Sequence, residues 1–414
     1  MQINPAILSD ARFLAAYAIF FASYFVFALG KFPGLKIDRP GAAIIGAVLM
    51  VAFRIMTAQD ALHAIDFSTI VLLFSMMLIV ANLHLGGFFG WIAELTVLRL
   101  DARQLLAAVV FTSGILSAFL VNDIVCLVFT PFIIQVTRRL NLKPIPYLLA
   151  LATASNTGSV ATITGNPQNM LIGSVSRIHY VSFLAHLGPV ALVGLFLDWG
   201  LLYWVYMRHV TVDSKPPVAA AAEFEHHRPR MKPIVVLAFV LVGFLAGIPP
   251  AMVAAVGAAV LLITRTTEPR LVYEEVDWGL LVFFTGLFII VGGAERAGLT
   301  ETLLQPFMAW NLHHIWIYSS LTAVLSNIVS NVPAVVLLKS VVPGFPDPNT
   351  GWLTLAMSST LAGNLTITGS VANIIVAERA KPDVHIGFRE YFRLGLPLTV
   401  ATLAWGIVWL SLVR

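Results

Sequence analysis

Two places in this chain, 204 residues apart, carry the same four residues inside otherwise apolar sequence: Thr162-Ile163-Thr164-Gly165 and Thr366-Ile367-Thr368-Gly369. Four residues beyond each glycine stands an Asn, Asn169 and Asn373. Hydroxyls, amides and glycines at matched places in two apolar halves leave few folds open. They fit a membrane protein of two related halves, with a solute or ion site where helices break at the interface between them.

The rest of the chain agrees. Only 11% of residues are charged and 58% are hydrophobic, against roughly 25% charged in soluble proteins. A water-soluble fold would lack the polar surface to cover itself, and the alternating ten-residue strands of a membrane barrel are absent. The fold class expected is an all-α membrane protein. The first apolar segment carries no basic n-region and no clear cleavage site, so it is expected to be a retained helix rather than a signal peptide. The single Cys126 excludes an intramolecular disulfide and a Cys-based zinc or iron–sulfur site. A net charge of +4 fits cationic loops on one membrane face better than nucleic-acid binding.

Apolar segments of spanning length occur near 12–30, 40–56, 66–84, 146–172 and 183–207, with counterparts near 233–248, 249–265, 278–294, 352–378 and 393–413. In each half a further apolar pair, 104–138 and 315–343, turns at a polar tip, Asn122-Asp123 and Ser330-Asn331. The turns leave no room for an aqueous loop, so both pairs are expected to be re-entrant hairpins. A second match supports duplication: Asp66 opens one apolar segment and Asp277 opens another, 211 residues on. The expectation is about ten transmembrane helices plus two re-entrant hairpins. Residues 1–207 form one repeat (hairpin 104–138, broken helix 146–172) and 233–414 the other (hairpin 315–343, broken helix 352–378). Residues 208–232 are a cytoplasmic linker whose His226-His227 pair is read as solvated. Five crossings per half make the topology inverted. This arrangement divides the 25 Lys and Arg 19 to 6 in favour of the linker's side, which is then cytoplasmic, with both termini outside.

The chemistry concentrates in two broken helices and two tips. The first segment offers Asn156, Thr157, Ser159, Thr162, Thr164, Asn166 and Asn169, and the second Asn364, Thr366, Thr368, Ser370 and Asn373. Where such a helix breaks, freed carbonyls can take a cation and the next N-terminus can take an anion. The tips add Asn122, Asn327 and Asn331. Asp123 is the expected coupling residue, because an acid at bilayer depth marks a proton or ion path. It belongs to one half only; the equivalent place in the other tip is assigned to neutral Asn331. Asp66 and Asp277 read as helix starts, Cys126 as packing, and Lys339 and Asp198 stay open between function and structure. No Arg or Lys falls within the amide and hydroxyl cluster. The sequence carries no metal-binding, nucleophile-elbow or phosphate-loop signature, so no enzyme, metal or cofactor is expected.

Val121-Asn122-Asp123 with Thr130-Pro131, the Ser155–Asn169 segment, Ser326–Pro333 and Leu361–Asn373 together resemble the ion transporter superfamily. That group holds the arsenite permeases, the divalent anion/sodium symporters and the NhaD-type antiporters. Ala294–Glu301 and the Asn122-Asp123 tip look most like the arsenite permease branch, whereas Gly165-Asn166-Pro167-Gln168-Asn169 is closer to the broader anion permeases. The resemblance implies a central site and alternating access. The expected function is proton-coupled efflux of arsenite or antimonite across the cytoplasmic (inner) membrane, the alternative being a sodium- or proton-coupled carrier of sulfate or di- and tricarboxylates; a passive anion channel ranks below both. Expected partners are a small inorganic solute, a proton or sodium ion and the lipid bilayer. A homodimer and a docked cytoplasmic ATPase are further partners left open, and nucleic acid is excluded.

Overall fold

A computed structural model describes residues 11–30, 34, 36–97, 100–208, 228–264, 267–299, 302–303, 305, 311–381 and 383–413. Most of the 208–232 linker, including His226 and His227, lies outside the described residues.

The first half runs α1 (Ala11–Leu29), α2 (Arg39–Ala52), α3 (Ala58–Ala64), α4 (Phe67–Leu85), α5 (Phe88–Val97), α6 (Ala102–Phe119), α7 (Asn122–Arg139), α8 (Ile145–Ser159), α9 (Pro167–Ser176) and α10 (Tyr180–Leu202), the last continuing as a π-helical turn to Met207. The second half runs α11 (Met231–Leu245), α12 (Pro250–Ile263), α13 (Pro269–Glu274), α14 (Trp278–Arg296), α15 (Ile315–Val329), α16 (Asn331–Leu338), α17 (Pro348–Leu361), α18 (Val371–Ala380) and α19 (Phe388–Leu412). The chain is an all-helical membrane protein. Bulky apolar side chains such as Phe239, Val242, Met252 and Val400 stand outward, where only lipid can cover them. Among the described residues, six helices (α1, α4, α6, α10, α14 and α19) are long and apolar enough to cross a membrane by themselves. Three expected spans are shorter: α2, α11 and α12 have 14, 15 and 14 residues, about 21–23 Å at 1.5 Å per residue. The short helices α3, α5 and α13 carry no spanning apolar run, so hydropathy alone does not reveal them.

Local signals fix where helices begin. Asp66 accepts from the Thr69 amide at 3.0 Å and Asp277 from the Leu280 amide at 2.9 Å, capping α4 and α14 at matched places in the two halves. Asp38 caps α2 through the Gly41 amide at 2.9 Å. A side-chain cap of this kind stabilises a helix start by about 1 kcal/mol. The two capped helices α4 and α14 run antiparallel: Arg296, at the end of α14, meets Asp60 just before α4 at 2.8 Å, and His84, at the end of α4, meets Glu275 just before α14 at 3.1 Å. α2 packs along α14 and α12 along α4. Backbone contact makes the first of these pairings close, since a Cβ on Gly286 would lie 2.5 Å from the Ala43 carbonyl oxygen. Between α6 and α8 the approach is closer still: a Cβ on Gly158 would meet the Gly114 carbonyl oxygen at 2.0 Å.

Both helices rich in small polar residues break. α8 stops at Ser159 and α9 starts at Pro167; α17 stops at Leu361, passes through two short 3-10 turns, and α18 starts at Val371. Each interruption frees carbonyls that have no helical partner, in surroundings without water. The Asn that follows each repeated glycine supplies the missing donors. Asn169 Nδ2 donates to the Ser159 and Thr162 carbonyls at 3.1 and 3.0 Å. Asn373 Nδ2 donates to the Gly363 and Thr366 carbonyls at 2.7 and 3.0 Å. The two pairs of acceptors stand in the same register to each other as the two Asn, so the repeat encodes one loop geometry used twice.

Removing the amide orphans two buried carbonyls. Asn169→Ala and Asn373→Ala are each expected to destabilise the purified protein by about 1–3 kcal/mol, read as a lowered unfolding temperature in detergent, while Thr368→Ala at an exposed position changes little. Gly158→Leu should abolish a monodisperse gel-filtration peak. An Asn169→Ala protein as stable as its parent would remove the stitching role.

Candidate functional site

A cavity of about 340 Å³ lies where the starts of six helices converge. α7 contributes Asn122 and Asp123, α9 Pro167 and Gln168, α16 Asn331 and Val332 beside Ser330, and α18 Val371 beside Ser370. The remaining wall is Asp38, Arg39 and Pro40 at the start of α2 and Asp277, Gly279, Leu280 and Phe283 at the start of α14. Helix starts direct unpaired amides and positive dipole ends at whatever sits among them.

Four of these starts are already satisfied by side chains: Asp38 on α2, Asn166 on α9 through the Asn169 amide at 2.9 Å, Asp277 on α14, and Ser370 on α18 through the Ala372 amide at 3.3 Å. The two hairpin tips differ. Neither Val121 before α7 nor Ser330 before α16 makes a side-chain cap. The first tip is instead pinned from behind, the Asn122 amide donating to the Gly165 carbonyl at 3.0 Å. Asn331, with its amide nitrogen turned toward the acceptors, donates to the Gly369 carbonyl at 3.0 Å. Each tip therefore holds the repeated glycine of its own half and leaves its first turn open to the cavity.

Behind the wall lies a buried polar network. Asn156 is its centre, accepting at Oδ1 from Asn122 (3.1 Å) and Ser370 (2.9 Å) and donating from Nδ2 to Asn364 (3.0 Å) and Asn373 (2.9 Å). Thr360, at the matched place in the second half, makes the mirrored contacts, accepting from Asn166 at 3.1 Å and donating to Asn169 at 3.4 Å. Asn364 also donates to Thr157 Oγ1 at 3.0 Å, and Asn166 to Ser159 Oγ at 3.0 Å. The network fixes both broken helices against each other at the level of the tips.

Among the residues expected from the sequence, Asn122, Asp123, Asn331 and Ser370 line the cavity. Asn156, Thr157, Ser159, Asn166 and Asn364 form the network, and Asn169 and Asn373 stitch the breaks. Thr162 donates to the Ala118 carbonyl, and Thr164 pairs with the Tyr180 hydroxyl at 3.0 Å on the side away from the cavity. Asn327 donates to the Ala362 carbonyl at 2.8 Å and accepts from Thr366 at 3.2 Å, while Thr368 is exposed. Thr162, Thr164, Asn169, Asn327, Thr366 and Asn373 thus make internal hydrogen bonds and do not line the cavity.

Two expectations are corrected. The site does hold a cation: Arg39 lines the cavity, its Nε donating to the Phe27 carbonyl near the end of α1 at 3.0 Å. And the residue matching Asp123 is Val332, since α7 begins at Asn122 and α16 at Asn331; the acid faces an apolar counterpart. Sequence reasoning also passed over Asp38, Gln168 and Thr360. The first was legible as an Asp-Arg-Pro helix start, matched in the second half by Pro249-Pro250. The other two carry no pattern of their own.

Remaining candidates settle elsewhere. Lys339 pairs with Glu295 at 3.3 Å. Cys126 is buried with its sulfur 3.0 Å from Ser155 Oγ. Asp198 is fully buried and accepts from Thr153 at 3.0 Å. Among the described residues no three His, Cys, Asp or Glu side chains gather closely enough to hold a metal ion.

Comparison with known proteins agrees with this architecture. A family model described as citrate transporter (CitMHS) matches residues 24–362. The silicon efflux transporter LSI3 of Oryza sativa subsp. japonica is 31% identical over 91% of this chain and 93% of its own. The putative transporter arsB of Dictyostelium discoideum is 28% identical over 90% and 87%. Among solved structures, the YdaH transporter of Alcanivorax borkumensis superposes with a TM-score of 0.54 at 15% identity, covering 97% of this chain and 98% of that one; the likeness is one of fold. The chain belongs to the citrate transporter (CitMHS) family of membrane transporters.

Proposed function

We propose that this protein is a secondary active transporter that expels arsenite or antimonite, in their uncharged hydroxylated forms, in exchange for protons. The observation that carries the reading is the pair of uncapped helix starts at the two tips, next to an acid, in one cavity. Oxygen atoms of a bound solute complete those two first turns as a capping side chain would. A solute such as arsenous acid offers lone pairs to the amides and hydroxyl protons to Asp123, so one molecule answers both kinds of group.

Charge favours an uncharged solute over a polyanion. Three carboxyl groups (Asp38, Asp123 and Asp277) surround the cavity against one guanidinium, and a tricarboxylate would meet like charge on three sides. The named silicon efflux relative supports the same chemistry, because silicon dissolves as a neutral tetrahydroxylated acid. A carrier of carboxylates or sulfate is the second reading; Arg39 and the family's citrate description favour it.

The two halves are, in this reading, inverted repeats in the cytoplasmic membrane. Hairpins α6–α7 and α15–α16 re-enter it from opposite faces, and the cavity opens toward the face carrying the cationic loops. Asp123 takes up and releases the coupled proton, the matched place in the other tip being the apolar Val332.

Transport into everted vesicles under an imposed proton or sodium gradient tests the reading. Arsenite should accumulate with the proton gradient; sodium-driven citrate or sulfate movement without arsenite movement would overturn it. Asp123→Asn should let arsenite equilibrate but not accumulate, with unchanged gel filtration, and accumulation at the parental level would remove Asp123 from coupling. Arg39→Gln should lower arsenite transport less than tenfold, since a neutral solute forgoes the charge-assisted bond of about 1.5–3 kcal/mol that an anion would make.

A further inference from the structure

The two halves are not in the same state, and the difference identifies a gate. A second pocket of about 260 Å³ includes Ser68, Leu72, Pro249, Pro250 and Ala251 in its wall. The matching positions in the other half are Gly279, Phe283, Asp38, Arg39 and Pro40, and all five line the larger cavity. The second pocket is therefore the repeat image of the first. Because α4 and α14 are antiparallel, the two openings lie at opposite ends of that helix pair, about 28 Å apart along a 19-residue helix.

Their depths differ. On the second side α9 packs along α4, and Ser174 Oγ donates to the Asp66 carboxylate, 2.9 Å from both oxygens. Beside that contact, in the wall of the second pocket, Ile163 is buried, and the Tyr180 hydroxyl holds Thr164. On the first side the image helices α18 and α14 both line the open cavity. The residue matching Ser174 there, Glu378, pairs with Lys381 at 2.7 Å. Asp277, the counterpart of Asp66, caps α14, and as a carboxylate it would repel Glu378 rather than hold it as Asp66 holds Ser174.

We propose that Asp66 and Ser174 form the latch of a gate, closed here, between the central site and a vestibule on the face opposite the open cavity. This rests on the transporter reading above but not on the identity of the solute. Opening the latch lifts α9 from α4 and joins the second pocket to the tips; the carboxylate keeps its capping bond to Thr69, so α4 persists while the gate moves.

Accessible thiols test it, since Cys126→Ser yields a cysteine-free chain. In that background Ser68→Cys and Gly279→Cys should react with a membrane-impermeant maleimide from opposite faces of sealed vesicles. Ile163→Cys should be protected, and adding Ser174→Ala should raise its labelling rate from the Ser68 face by about tenfold, the equivalent of one lost hydrogen bond to a charged group. Asp66→Asn, which retains an acceptor for capping, should do the same to a smaller extent, with unfolding temperatures reporting intact folding. Labelling of Ser68→Cys and Gly279→Cys from one face, or Ile163→Cys labelling unmoved by Ser174→Ala in a folded protein, would overturn the latch. Either result stands apart from the solute assignment, because the readout contains no transported species.

Discussion

In apolar surroundings every carbonyl and amide set free by a helix break must find a partner inside the protein. That constraint organises this molecule. Two breaks at bilayer depth need four donors, and two Asn side chains supply them from the first turn of the helix that follows. Once the loops are tied, their glycine carbonyls become fixed acceptors for the hairpin tips, and the tips position the cavity. The glycine, the hydroxyls and the Asn of each repeat are therefore mainly architecture. The site is what this architecture leaves unfilled: two helix starts without caps.

The near-twofold order of the network makes its departures informative. Asn156 and Thr360 occupy matched positions and make matched contacts across the interface, so the core of the two broken helices is close to symmetric. Charge is not. Asp123 is matched by Val332, and Asp38-Arg39 by Pro249-Pro250. A symmetric frame with one-sided charge at the tips makes the two sides of the cavity wall chemically unlike although the network behind them is matched.

Much of this was legible in the sequence because the physics acts locally. Two glycines among hydroxyls and amides, with a Pro besides in the first copy, disfavour a continuous buried helix, so the breaks at 160–166 and 362–370 follow from residue types. The turns at Asn122 and Ser330 follow from polar tips between apolar arms. What was illegible depends on juxtaposition. Arg39 sits in a loop-to-helix junction that reads as an ordinary cationic end, and only the convergence of α2 and α14 with the tips brings it to the cavity. Asp66 and Asp277 read alike as caps, and both are caps. Their second roles differ with their surroundings: Asp66 holds Ser174, whereas Asp277 lines the cavity and the place matching Ser174 carries Glu378.

Hydroxyl count alone does not show which groups have hydrogen-bonding capacity left at the cavity. Thr162, Thr164, Thr366 and Asn327 have their hydrogen-bonding capacity drawn into the protein, and a buried group that already has its partner offers little to a ligand. The groups with capacity left are the open first turns of α7 and α16, the Arg39 guanidinium beyond its one bond to Phe27, and the carboxyl of Asp123. They lie on the wall shared by both halves. These groups adjoin the two tips, which are themselves held by the glycine carbonyls of the two breaks, so the open positions and the tied loops form one connected unit.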